Sequence, residues 1–92
     1  MGYAVLHSVD PKKRRARYYA LTWQPSIAGG WVVERIWGPL RSWRRQQRVE
    51  EAVDPEQARL LVAGHLKRRL HRGYHLTEAD GDGRALFDDV RG

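Results

Sequence analysis

Trp37 and Gly38 close a β-type run, Trp31-Val32-Val33-Glu34-Arg35-Ile36-Trp37, in a chain that carries seventeen Lys and Arg. An aromatic ring delivered to a glycine turn at a strand end, with cations around it, suits stacking on a base or sugar beside neutralised phosphates. Gly73-Tyr74 follows a basic segment and offers a second aromatic in a similar setting. That combination points to nucleic acid before it points to catalysis.

Phosphate neutralisation has three candidate sources: Lys12 to Arg17, Arg41 to Arg48 and Lys67 to Arg72. Together they hold thirteen of the fifteen cations in residues 1–76. A single charge run is usually a solvated face, but three in one small chain favour sequence-independent, salt-sensitive phosphate contact. The residues assigned to it are Lys12, Lys13, Arg35, Arg41, Arg44, Arg45, Lys67, Arg68 and Arg72, beside Trp37, Gly38 and Tyr74. Trp23, Trp31 and Trp43 read as packing residues; Trp43, which sits among cations, is also the second candidate for stacking. Trp37 itself has two readings, a stacking platform or a core ring plugging the sheet end. Tyr74 divides the same way, between phosphate contact and a strand residue under a helix end.

Other chemistries find no support. Without cysteine there are no disulfides, thiolate metal sites or thiol catalysis. His7, His71 and His75 have no ligand spacing with nearby carboxylates, so no zinc or other cofactor is expected. His65 lies beside an apolar helical stripe and reads as a packed or hydrogen-bonded histidine. Asp80-Gly81-Asp82-Gly83 starts like a calcium loop, but Arg84 and Ala85 occupy positions that need an oxygen ligand and a glycine. No Ser-His-Asp set or glycine-rich phosphate loop is legible, so no enzyme is expected.

The elements that must position these residues fit one domain of ninety-two residues. Charge divides it: residues 1–76 carry a net +9, whereas residues 77–92 set five carboxylates against two arginines. The expected organisation is a basic body over 1–76 and an acidic tail over 77–92, the tail either loose or laying Leu86-Phe87 on the sheet. That tail either competes with a polyanion for the basic face or only aids solubility. No apolar run nears the roughly 18 residues of a membrane span and no signal-peptide pattern opens the chain, so an intracellular, cytoplasmic protein without membrane contact is expected.

Four strands are predicted, over 3–9, 17–24, 31–37 and, more polar, 43–50, with punctuation at Asp10-Pro11, Pro25-Ser26 and Gly29-Gly30. One helix follows. Asp54 is its N-cap, Pro55 its first residue and Gln57 completes a capping-box spacing. Ala58, Val62, Leu66 and Leu70 form its apolar stripe, cations load its C-terminal end and Gly73 stops it.

This order of four strands, a helix and Gly-Tyr resembles the WGR domain of DNA-dependent poly(ADP-ribose) polymerases and of small bacterial proteins. The matching residues are Tyr18-Tyr19-Ala20-Leu21, Gly30-Trp31, Arg35-Ile36-Trp37-Gly38, Asp54-Pro55-Glu56-Gln57-Ala58, Lys67 and Arg72-Gly73-Tyr74, spanning about residues 4–76. The resemblance implies an α+β fold, a twisted antiparallel sheet of four to five strands crossed by one long helix, with DNA binding and no catalysis of its own. It also implies that Tyr74 contacts phosphate and that Trp37 engages a terminal nucleotide. The family's arginine after Trp-Gly is Pro39 here, and the glycine two residues on is Arg41. Pro39 offers neither a guanidinium nor an N–H donor; Arg41 or Arg35 is the nearest replacement. An RNA or single-strand binder, and a protein-interaction adaptor using the sheet face or Leu86-Phe87, are the alternative functions.

Overall fold

The fold follows from where the chain can turn. A computed structural model describes all residues, 1–92. Strands β1 (Gly2–Asp10), β2 (Arg15–Pro25), β3 (Trp31–Pro39) and β4 (Gln46–Ala52) precede helix α1 (Pro55–His71), strand β5 (His75–Ala79) and helix α2 (Gly81–Arg91). At the first turn the Asp10 carboxylate accepts the backbone N–H groups of Lys12 and Lys13 at 3.1 and 3.4 Å, and Arg14 closes it at φ 51°. At the second, Gly29 and Gly30 take the positive φ values that the hairpin requires.

The five strands form one antiparallel sheet in the order β4-β3-β2-β1-β5. Alternation on β2 sends Tyr19, Leu21 and Trp23 to one face, where the cross-strand register sets them beside Ala4, Leu6 and Val33. Ala58, Val62 and Leu66 of α1 and Leu86 of α2 complete that core. Both helices cover this face. The other face, with Val5, Ala20 and Ile36 in adjacent positions, has no helix on it.

The fold is therefore α+β, with an antiparallel sheet of five strands, and it departs from expectation in its helices. There are two, not one. The segment 77–92 supplies most of β5 and all of α2, and buries Leu86 and Phe87. Asp80 explains how so polar a stretch starts a helix. Its Oδ1 accepts the N–H of Gly83 at 2.7 Å as an N-cap and that of Tyr3 at 3.2 Å, tying α2 to β1. The fourth strand also begins later than its predicted start at residue 43, because Trp43 to Arg45 belong to the preceding turn. No helix is long and apolar enough to cross a membrane.

Helix α1 has the predicted ends. Asp54 Oδ1 accepts the Gln57 N–H at 2.8 Å, while Gln57 Oε1 accepts the N–H of Val53, one residue before the cap, at 2.7 Å. At the C-terminus Gly73, at φ 84°, donates to the Leu70 carbonyl and Tyr74 donates to the Arg69 carbonyl, both at 3.1 Å. This double closure is a Schellman motif, and it turns the chain so that Tyr74 comes back under the helix end.

Candidate nucleic-acid interface

Sheet register creates the site. Leu6, Tyr19 and Trp37 lie opposite one another in the last apolar row of the helix-covered face. The next row outward is Ser8, Arg17 and Pro39, and Arg15 lies beyond it on the same face of β2. Helix α1 ends above this transition, bringing Arg69 and Arg72. A cavity of about 310 Å³ opens there, lined by Ser8, Arg15, Arg17, Tyr18, Trp37, Gly38, Arg69, Arg72 and Tyr74. A second, of about 500 Å³, adjoins it through Arg17, Trp37 and Gly38 and adds Pro39, Trp43, Arg44, Arg45 and Gln46. No carboxylate lines either one.

Each basic cluster contributes two arginines to the lining of these two adjoining cavities, which together form the groove: Arg15 and Arg17, Arg44 and Arg45, Arg69 and Arg72. None of the six forms an ion pair; the salt bridges of the molecule lie elsewhere. In particular, Asp88 pairs with Arg84 and Arg91, Asp89 with Arg59 and Asp82 with the N-terminus. The carboxylates of α2 are thus paired with groups outside the groove's lining.

Aromatic rings lie against two of these arginines. The guanidinium of Arg69 lies 4.2 Å from the centre of the fully buried Tyr19 ring and 5.6 Å from that of Tyr74. The two tyrosines meet edge to face at 6.1 Å. Such stacking orders a guanidinium at low entropic cost. Arg45 is fixed differently: its Nη1 donates to the carbonyls of Pro39 and Arg44, each at 2.9 Å, and to that of Ser42, while its Cζ lies 4.6 Å from the Tyr18 ring centre. It staples the β3–β4 turn. Gly38 is required there, since a Cβ would come within 2.5 Å of the Arg44 carbonyl oxygen.

The residues assigned from sequence divide into two groups. Trp37, Gly38, Trp43, Arg44, Arg45, Arg72 and Tyr74 line the groove. Lys12, Lys13 and Arg41 are exposed but line neither cavity. Lys67 faces a different cleft, with Phe87 and Arg91. Arg35 is partly buried, its guanidinium over the Trp37 ring and its Nε 3.4 Å from Glu50 Oε1. Arg68 donates to His65 Nδ1 at 2.7 Å. With Nδ1 accepting, His65 carries its proton on Nε2 and donates it to Glu50 Oε1 at 2.6 Å. Burial lowers the pKa of this histidine; the hydrogen bond to Glu50 opposes that shift and the nearby Arg35 and Arg68 add to it. His65 is therefore a packed, hydrogen-bonded residue.

Arg15, Arg17 and Arg69 were not singled out from sequence. Their signals were present. Arg15 and Arg17 share the period-two phase of buried Tyr19 and Leu21, and Arg69 falls three residues after Leu66 on the apolar stripe of α1.

In comparisons with known proteins, no family model, no curated protein and no solved structure matches this chain.

Proposed function

We propose that the chain is a non-enzymatic nucleic-acid-binding module of WGR type, acting on DNA inside the cell with weak sequence specificity. One observation carries this reading: six arginines without ion pairs, drawn in twos from three separate segments, line one groove with Trp37, Trp43 and Tyr74 and no carboxylate. Guanidinium groups that are charged and lack a carboxylate partner suit a sugar-phosphate backbone. Backbone contacts carry little sequence information, hence the weak specificity. Pro39 occupies the position of the polymerases' arginine with no guanidinium, so recognition in the groove rests on Arg15, Arg17, Arg69 and Arg72 instead.

The test is a titration of the protein with duplex, nicked and single-stranded DNA at two salt concentrations. For about four neutralised phosphates, affinity falls about a hundredfold between about 50 and 200 mM salt. The double variant Arg17→Glu/Arg72→Glu should bind none of the substrates. A flat salt dependence would sink the electrostatic reading.

A further inference from the structure

Trp43 is 89% exposed, in a protein whose other three tryptophans are buried or half-buried. Leaving so large an apolar ring in water is unfavourable, and a flexible turn would let it collapse onto a neighbour. This turn is stapled. The Arg45 side chain binds three of its carbonyls, Ser42 Oγ accepts the Arg44 N–H at 3.1 Å, and Gly38 packs against the Arg44 carbonyl. The ring is held out beside a cavity that it shares with Trp37, Arg17 and Arg44. That cavity, of a size typical of small-ligand sites, shares Arg17, Trp37 and Gly38 with the cavity that Arg69 and Arg72 line.

We propose that the cleft between Trp37 and Trp43 receives an unpaired base, with Trp43 stacking on its face while Arg17 and Arg44 hold the flanking phosphates. This rests on the nucleic-acid reading above and narrows its substrate to strands with an unstacked nucleotide: single strands, gaps or frayed ends. A base within continuous duplex offers only its edges, because both of its faces are already stacked; an unpaired base presents a face to an aromatic platform. The fixed turn lowers the ordering cost of binding, since the ring waits in place.

The experiment compares a dye-labelled thymidine homopolymer with a blunt duplex of equal length, at low salt, for wild type, Trp43→Ala, Trp43→Phe and Arg17→Glu. Trp43→Ala is expected to weaken homopolymer binding about tenfold more than duplex binding. Trp43→Phe should recover most of the homopolymer loss, which a merely structural role of the turn would not predict. The proposal is overturned if Trp43→Ala affects both substrates equally or neither, while Arg17→Glu weakens both; the groove reading then stands without the base cleft. If wild type binds neither substrate, the groove reading fails and the cleft with it.

Discussion

The guanidinium of Arg35 sits 5.4 Å from the centre of the Trp37 ring and is held there by Glu50, whose Oε1 also accepts from His65. One carboxylate thus connects the middle of α1 to the aromatic floor of the groove. Arg35 backs Trp37 from within the sheet–helix layer and is not a free phosphate contact. Glu50→Ala would leave the His65 N–H without an acceptor and Arg35, with only 15% of its side chain exposed, without a counter-charge. We expect a loss of about 1–3 kcal/mol of stability, measured by urea denaturation. Glu51→Ala, one residue on and exposed, should be neutral in the same assay.

His65 makes stability depend on pH in a defined direction. Its pKa in the folded protein lies below the ordinary value of 6.5, chiefly because it is buried. The unfolded chain therefore takes up the proton first as pH falls. The stability contributed by neutral His65 is complete above pH 6.5 and is lost as pH falls from 6.5 toward the folded pKa. Protonation also removes the acceptor that Arg68 uses. The urea midpoint of the wild type should fall between neutral and mildly acidic pH, and His65→Gln should flatten that fall. Equal slopes in the two proteins would exclude this origin.

Two glycines are predicted to tolerate no side chain. Gly38→Ala drives a Cβ into the Arg44 carbonyl, and Gly83→Ala drives one into the backbone carbonyl of Tyr3. Both obstacles are main chain, so relief requires moving the β3–β4 turn in the first case and undocking α2 from β1 in the second. Each should lower stability by about 1–3 kcal/mol or more, read as a drop in melting temperature. Gly81→Ala is the control: nothing lies within 4 Å of its Cβ position, so it should be neutral or slightly stabilising.

Much of this architecture was legible because its boundaries carry local chemistry. Asp10-Pro11, Gly29-Gly30, Asp54-Pro55 and Gly73 mark turns and caps by their own conformational preferences, and the first four strands and α1 follow. Helix α2 was not legible. Its start depends on Asp80 meeting Tyr3 and on Gly83 fitting against the Tyr3 carbonyl, relations between distant parts of the chain that no local pattern encodes. The groove was half legible for the same reason. Trp37, Trp43, Arg72 and Tyr74 stood out by type, but the choice among thirteen clustered cations rests on sheet register and on the rotation of α1. Those geometric facts set aside Arg68, which bonds His65, and bring Arg17 and Arg69 to the groove; Arg35, outside the three clusters, pairs with Glu50.

That selection among cations is itself measurable. Arg17 lines both cavities without an ion pair, while Lys67, from another basic segment, faces the cleft beside Phe87. If the groove is the binding surface, Arg17→Ala should weaken duplex and single-strand binding alike. It should also reduce the slope of log affinity against log salt by about 1, the signature of one lost phosphate contact. Lys67→Ala removes the same formal charge and should leave that slope unchanged. Both residues are exposed, so neither substitution should disturb folding. Parallel titrations of the two variants across a salt series therefore separate a site from a general excess of positive charge: identical slopes would mean that net charge alone drives binding and that the groove has no special part in it.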